Sequence, residues 1–207
     1  FNLETLEGTV VDPYFPAPVN TYNPALHAII ESIFAAFGDS AAQFARADGG
    51  GGRAMTLAHV IDRKTLIQYE LFAGGVGAMQ GYHGETGCHC NQTNGKVTSI
   101  EMLETEFPIR AEEFKVLKNS GGEGKFRGGC GFVRTYRILD GVTSVTLRSS
   151  KHSIHPLGVN GGGDAQGGFC DVEVSGITTR LASMQSGVIL KPGDRLSLGT
   201  PGGGGYG

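Results

Sequence analysis

The stretch Phe132 to Arg148, F-V-R-T-Y-R-I-L-D-G-V-T-S-V-T-L-R, carries the reading of the fold. Two runs rich in β-branched and aromatic residues, Phe132 to Leu139 and Val142 to Arg148, stand on either side of Asp140-Gly141, a turn signal. Toward the C-terminus the pattern repeats. Phe169 to Val174, Thr178 to Met184 and Arg195 to Leu198 read as strands, punctuated by Gly161 to Gly168 and by Lys191-Pro192-Gly193-Asp194. Short strands at this spacing predict an antiparallel sandwich or barrel. Toward the N-terminus, Met55 to Val60 and Thr65 to Phe72 flank Ile61-Asp62-Arg63-Lys64, the signature of a hairpin turn.

Ahead of these strands one helix is expected. Asn23 is placed to cap it, Pro24 fits its first turn, and Gly38 stops it. Leu26, Ile29, Ile30, Ile33, Phe34 and Phe37 fall at i, i+3, i+4, i+7, i+8 and i+11, one apolar stripe to set against a sheet or another helix. His27 falls beside that stripe and reads as a surface or boundary residue. Before the helix, Phe1 to Asn20 is an extended arm, with Pro13, Pro16 and Pro18 blocking helix formation. After it, Ala41 to Ala47 reads as a short second helix and Gly49 to Gly52 as a hinge. The fold class is therefore α+β and β-rich: an N-terminal amphipathic helix, then mostly antiparallel strands with glycine-rich loops. Residues 1–52 form the arm and helical segment, 53–118 a mixed α/β segment, and 119–207 an antiparallel β segment.

Composition narrows the function classes. Net charge is −3 and the basic residues are scattered, so nucleic acid is not the expected partner. No apolar run approaches the roughly 18 residues that span a bilayer, and a cytoplasmic location is expected. Cys88 and Cys90 stand too close to bridge comfortably, which fits reduced thiols. Glycine is the outlier at 35 of 207 residues, without a collagen period. Its densest cluster, Asn119 to Gly131, holds six glycines with Lys125 and Arg127. Two readings stand: a tight turn with two solvated cations, or a backbone concavity for an anion. It is not a Walker loop, because Asn119 replaces the first glycine and Phe126 the Ser or Thr. Gly75 to Gln80 fails as a dinucleotide fingerprint, because Gln80 stands where the third glycine belongs.

The most polar segment runs from Gly81 to Glu106. His83, Cys88, His89, Cys90, Asn91 and Asn94 lie within twelve residues. C-x-C lacks the usual zinc bite, so structural or substrate-positioning roles are preferred to a metal site. Glu70 precedes a glycine loop, and Glu101 and Glu104 share a face at helical spacing. Glu70 reads equally as a functional or a solvated group, whereas for Glu101 and Glu104 a solvated face is preferred to an acid/base pair or metal ligands. Arg148-Ser149-Ser150-Lys151-His152 ends one strand with a concentrated set of donors suited to a carboxylate, a phosphate or bicarbonate; an exposed basic turn is the alternative. It is not the S-x-x-K acylation motif, since Arg148 takes the serine position.

Taken together, several ordered strings resemble one family. They are Tyr69-Glu70 before a Gly-Gly-x-Gly-Ala loop, Asn91-x-Thr93-Asn94, Glu101-x-Leu103-Glu104-x-x-x-Pro108-x-Arg110, Ser120-Gly121-Gly122-x-Gly124-x-Phe126-Arg127-Gly128-Gly129, Arg148 to His152, and Thr200 to Gly207. The chain is similar over essentially its whole length to the hydantoinase B/oxoprolinase family. That family includes B-type subunits of ATP-dependent N-methylhydantoinase, the C-terminal part of 5-oxoprolinase, and alpha-type subunits of acetone and acetophenone carboxylases. The resemblance implies a piece of a longer B-type subunit, working in a hetero-oligomer with an A-type subunit that binds ATP and Mg. It also implies a divalent metal held by the rest of the B-type subunit, with none held by this segment. The implied reaction is ATP-dependent ring opening of a cyclic amide; the alternatives are an ATP-dependent ketone carboxylase and a non-catalytic scaffold segment. Under this reading Glu70, Glu101, Arg148 and Lys151 are the catalytic candidates, and Asn91, Asn94, Arg110, Arg127 and His152 bind substrate. His83 and Cys88-His89-Cys90 depart from the family pattern.

Overall fold

A computed structural model describes residues 4–17, 23–38, 40–89, 91, 93 and 95–207. Cys90 and Asn94 lie outside the described residues. The chain builds two antiparallel sheets facing each other across one core, as the strand spacing predicts. Sheet one holds β1 (Arg53–Ile61), β2 (Lys64–Leu71), β7 (Val142–Ser149) and β10 (Met184–Leu190), in the order β10-β7-β1-β2. Sheet two holds β5 (Ile109–Val116), β6 (Phe132–Ile138), β8 (Phe169–Val174), β9 (Ile177–Arg180) and β11 (Arg195–Gly199), in the order β5-β6-β11-β8-β9. A small pair, β3 (Gly74–Gly75) and β4 (Thr86–Cys88), stands apart.

The β1–β2 hairpin turns on Asp62 and Arg63, both at positive φ (47° and 67°), as a tight two-residue turn requires. Asp140-Gly141 has a different role. It carries the chain from β6 in one sheet to β7 in the other, so the two runs flanking it do not pair. Thr178 to Met184, read above as one strand, is also divided between sheets. β9 ends at Arg180, Leu181 bonds back to Cys170, and Met184 opens β10 in sheet one.

Alternation along each strand fills the space between the sheets. Met55 and Leu57 of β1, Val145 and Leu147 of β7, Tyr136 and Ile138 of β6, and Leu196 and Leu198 of β11 are all at most 2% exposed. Each such side chain contributes about 1.5–3 kcal/mol on burial. α2 (Ile100–Glu106) starts on Ser99, whose hydroxyl accepts from Met102 N at 3.3 Å, and stops before Pro108. It seats Leu103 against the core.

The helices correct two expectations. α1 (Asn23–Ala36) forms, but the residues it buries are His27 and Glu31, while Ile29 and Ile33 of the apolar stripe are 42% and 54% exposed. His27 is therefore no boundary residue. Ala41 to Ala47 makes only a single 3₁₀ turn, Ala42–Phe44, because Ala47 is drawn into pairing with Ala78 instead.

The glycine-rich stretches are extended segments packed backbone to backbone, more than they are turns. The tail Pro201 to Tyr206 runs through their middle. Pro201 O accepts from Gly75 N, Gly203 N donates to Gly129 O, Gly204 N to Asp48 O and Gly205 N to Gly163 O, all at 2.8–2.9 Å. A strand in a sheet has two neighbours, whereas this one has four, and only residues without Cβ allow such an approach. At Gly75 a Cβ would stand 2.0 Å from the Gly129 carbonyl oxygen and 2.5 Å from Gly203 N. Among the described residues no helix is long and apolar enough to cross a membrane.

Candidate functional site

Three polar clusters emerge from this architecture, and they divide the candidate residues between them. The first lies at one end of the outer face of sheet one, under the start of α1. On α1, His27 and Glu31 sit one turn apart on the buried side. Glu31 accepts from Gly49 N at 3.1 Å and pairs with Lys151 Nζ at 3.0 Å. Lys151 Nζ also donates to Asp48 at 2.6 Å, and the same Asp48 oxygen accepts from Leu157 N. Lys151 itself is held at φ 60°, a strained conformation for a residue with a side chain, and the two carboxylates account for its persistence. Burial pushes the Glu31 carboxyl above its usual range and Asp48 adds to this, against the pull of Lys151. The ammonium shows the opposite balance: burial lowers it, but Asp48 and Glu31 outweigh burial and hold it raised.

Next to this triad stands Arg53, 3% exposed. Its Nη1 donates to Gly199 O at 3.0 Å and meets His152 Nε2 at 3.3 Å; its Nη2 donates to Ser150 O at 2.7 Å. Among the described residues no carboxylate pairs with it and its Nε has no partner, so burial pulls the guanidinium down to about 9. Burial, and then the Arg53 and Arg180 charges, press His152 down to about 4, consistent with a neutral ring accepting from Arg53.

A small cavity of about 40 Å³ opens beside these groups, lined by His27, His89, Arg53, Arg148, Tyr69 and Thr93 among others. Arg148 and Tyr69 belong to the outward set of sheet one, where Arg148 stands opposite Ala54. Burial lowers both imidazoles, and in His27 the neighbouring His89 and Lys151 add to the effect. Both rings are therefore neutral at pH 7. His27 Nδ1 and His89 Nε2 are buried without a hydrogen-bond partner among the described residues.

The second cluster lies in the core between the sheets. Glu70 accepts from Arg134 at 2.6 Å, from the Tyr136 hydroxyl at 2.8 and 2.9 Å, and from Gln68 at 2.6 Å. Gln68 continues to His59 at 3.0 Å, and His59 to Thr143 at 2.9 Å. All six residues are buried, and the Arg134 guanidinium lies 4.5 Å from the Phe114 ring centroid. The network ties β1, β2 and β7 to β6. Glu70 thus stands among partners that use its carboxylate fully, away from the cavity.

The third cluster is the glycine stretch Asn119 to Gly131. Its cations do not converge. Arg127 pairs at 3.7 Å with exposed Glu123, and Lys125 leans over Phe126. What the loop cradles is its own Cys130, in a cleft of about 210 Å³ shared with His83 and Arg127. Partial burial pushes that thiol up, but the backbone N–H groups of Gly121, Ser120 and Asn119, with the Ser120 hydroxyl, prevail and hold it below the usual thiol range.

The other candidates are dispersed. Glu101 is exposed on α2, and Arg110 pairs with Glu104 at 3.4 Å on the surface. Asn91, at φ 63°, accepts from Arg46 at 3.4 Å. Of the candidates Arg148 lines the cavity, Lys151 is held beside it by Glu31 and Asp48, His152 turns to Arg53, and Glu70, Glu101, Asn91, Arg110 and Arg127 lie elsewhere. The structure adds His27, Glu31, Asp48, Arg53 and His89. One signal for part of this set is present in the chain: His27 and Glu31 are the polar residues spaced i, i+4 on the helix. Among the described residues no three His, Cys, Asp or Glu side chains gather as a metal site requires, and the Arg148 charge at the cavity opposes a divalent cation.

Comparison with known proteins places this geometry. A model of the hydantoinase B/oxoprolinase family matches residues 1–207. A 5-oxoprolinase of Dictyostelium discoideum is 37% identical over 145 residues, covering 70% of this chain and 11% of that protein. The crystal structure of an ATP-dependent caprolactamase from Pseudomonas jessenii superposes with a TM-score of 0.82 at 22% identity, over 97% of this chain and 37% of that one. A nucleotide-free acetone carboxylase superposes with a TM-score of 0.64 at 18% identity, over 83% and 28%. The two structural likenesses show a shared fold. The chain spans about a tenth of the 5-oxoprolinase and little more than a third of the caprolactamase chain.

Proposed function

This chain belongs to the hydantoinase B/oxoprolinase family, and from that premise we propose that it forms part of the B-type subunit of an ATP-dependent cyclic-amide hydrolase. The observation that carries the reading is the cavity under α1, where Arg148 shares the lining with two neutral imidazoles, His27 and His89, beside the Glu31–Lys151–Asp48 footing. A ring amide is a poor electrophile. Phosphorylation of its oxygen, supplied by an A-type partner subunit with ATP and Mg, converts that oxygen into a leaving group. Water then attacks, and the charge that develops needs donors already in place. Arg148 is the donor best placed for this. His27 and His89, unprotonated at neutral pH, suit proton transfer. Lys151 is a positioning residue: its charge is spent on Glu31 and Asp48, which fixes α1 against the strand ends. The divalent metal of the complex is assigned to the remainder of the subunit.

The test is ADP release by the complex reconstituted with its A-type partner, across hydantoins, lactams and ketones, each with and without bicarbonate. The expected result is release that needs the cyclic amide alone and falls at least about a hundredfold in Arg148→Gln, the scale of one lost oxyanion donor. Release that demands ketone and bicarbonate together makes this a carboxylase subunit. Turnover intact in Arg148→Gln with weakened assembly makes the segment a scaffold.

A further inference from the structure

The sandwich has two outer faces, and they differ in kind. On sheet two, charges meet across four strands: Glu112 of β5 takes Arg137 of β6 and Arg195 of β11, and Arg195 reaches Glu173 of β8 at 2.9 Å. Paired charges in such a ladder suit a face in water. On sheet one, the outward positions of the four strands hold one charged side chain among the described residues, Arg148. The central strands otherwise present small residues there: Ala54, Thr56 and Ala58 on β1, with Ser144 and Thr146 on β7. The edge strands raise large apolar ones, Ile67 and Tyr69 on β2 and Met184 and Ile189 on β10, all 50–64% exposed. The result is a trough with a floor of small side chains between two apolar rims. Strands about 4.8 Å apart set those rims about 14 Å from each other, and a helix with its side chains is about 10–12 Å across. An apolar sheet face needs a further layer against it. α1 begins that layer, since its Pro24 and His27 share a small cavity with Ala54, Tyr69 and Leu71 at one end of the trough. This chain spans little more than a third of the caprolactamase chain whose fold it shares, so a subunit of that length has the residues to continue the layer.

We infer that the outer face of sheet one is an interface inside the subunit: a helix supplied by the remainder of the B-type subunit lies in the trough beside α1, as a third layer on the sandwich. The outer face of sheet two stays in water. In naming that occupant the inference rests on the reading of this chain as part of a longer B-type subunit.

The experiment is hydroxyl-radical oxidation of the complete native subunit, read by peptide mass analysis at Met184 and Tyr69 on the trough rims and at Ile177, 70% exposed on β9 of sheet two. Each rate is divided by that of the same residue in the urea-unfolded subunit, which removes differences in intrinsic reactivity. A helix in the trough takes Met184 from 64% exposed to nearly none, so its oxidation should slow at least about fivefold. Tyr69, 57% exposed without the helix, should follow, while Ile177 keeps close to its unfolded rate. The protection should be independent of subunit concentration and complete before any A-type subunit is added. Ala58→Leu fills the trough floor without touching the core, and should speed Met184 oxidation at least about threefold by unseating the helix. The measurement on the native subunit does not depend on that variant folding. Protection that appears only with the A-type subunit assigns the trough to that partner, and protection that grows with subunit concentration assigns it to a second copy; either overturns the inference. Met184 and Tyr69 as reactive as Ile177, or all three protected alike, overturn it too, as does protection at Met184 that folded Ala58→Leu protein leaves unchanged. Neither ATP nor turnover enters this readout, so its failure leaves the hydrolase reading to the ADP-release assay.

Discussion

Replacing Glu70 with alanine tests whether this carboxylate serves the fold or the reaction. In the native protein it holds three donors in the core: Arg134 at 2.6 Å, Tyr136 at 2.8 Å and Gln68 at 2.6 Å. The ion pair is 3% exposed on both sides. Burial, with the Glu70 charge adding to it, raises the Tyr136 hydroxyl far above the usual phenol range, so the hydroxyl is locked as a donor. Glu70→Ala leaves a guanidinium, a hydroxyl and an amide stranded together in an apolar core. Losing one partner of a buried pair costs about 3–5 kcal/mol. For a chain of this length each kcal/mol moves the melting temperature by about 2–4 °C, so a drop of about 6–20 °C is expected. Glu70→Gln keeps an acceptor and a similar shape, and should cost about 1–3 kcal/mol. The assay is urea and thermal unfolding of each variant, followed by turnover of whichever stays folded. The structural account predicts folded Glu70→Gln within a few-fold of native turnover. A stability loss in Glu70→Ala below about 1 kcal/mol would refute it, as would well-folded Glu70→Gln protein whose turnover has dropped by the roughly hundredfold or more that a lost proton-transfer group costs.

Three further outcomes are expected. Gly75→Ala drives a methyl into the Gly129 carbonyl and should destabilise by at least about 3 kcal/mol, the top of the overpacking range, because the obstacle is backbone; Gly187→Ala, at φ 74° with open space around it, should lose only about 1 kcal/mol in the same thermal melts. Among Cys88, Cys130 and Cys170, iodoacetamide followed by peptide mass analysis should label Cys130 first, since Cys88 is raised by its bond to Glu85 and burial pushes Cys170 up to about 12; equal rates for Cys130 and Cys88 contradict the cradle. The ring of His152 sits at about 4 when folded against an ordinary 6.5, so the folded state binds fewer protons between those values. Its contribution is complete above about pH 6.5 and is lost as pH falls toward about 4, roughly 1–2 kcal/mol once the solvent reaching the ring is allowed for; His152→Gln should flatten that part of the stability curve.

How far the chain could be read in advance differs between its parts. Local chemistry was enough wherever one residue type leaves few conformations open. Asp62-Arg63 closes a hairpin, and runs of β-branched and aromatic residues mark β6, β7 and β8. The strings Ser120 to Gly129 and Thr200 to Gly207 were enough to point to the family. Partners were another matter, because period and propensity report which residues share a face without saying what covers it. The apolar stripe of α1 was legible, yet the covered side is the one bearing His27 and Glu31, since Lys151, 120 residues further on, supplies the charge that Glu31 needs. Asp140-Gly141 was legible as a turn, yet which sheet the next strand enters depends on β1 and β10 on either side of it. The glycines were visible as an excess and read as punctuation; only the fold shows them as contact surfaces, because their use lies in segments far apart in sequence approaching closer than any side chain allows. The candidate site follows the same division. Arg148, Lys151 and His152 are close in the chain and could be read as a set of donors, whereas His27 and His89 reach the cavity beside Arg148, Glu31 and Asp48 reach Lys151, and Arg53 reaches His152 through tertiary contacts alone.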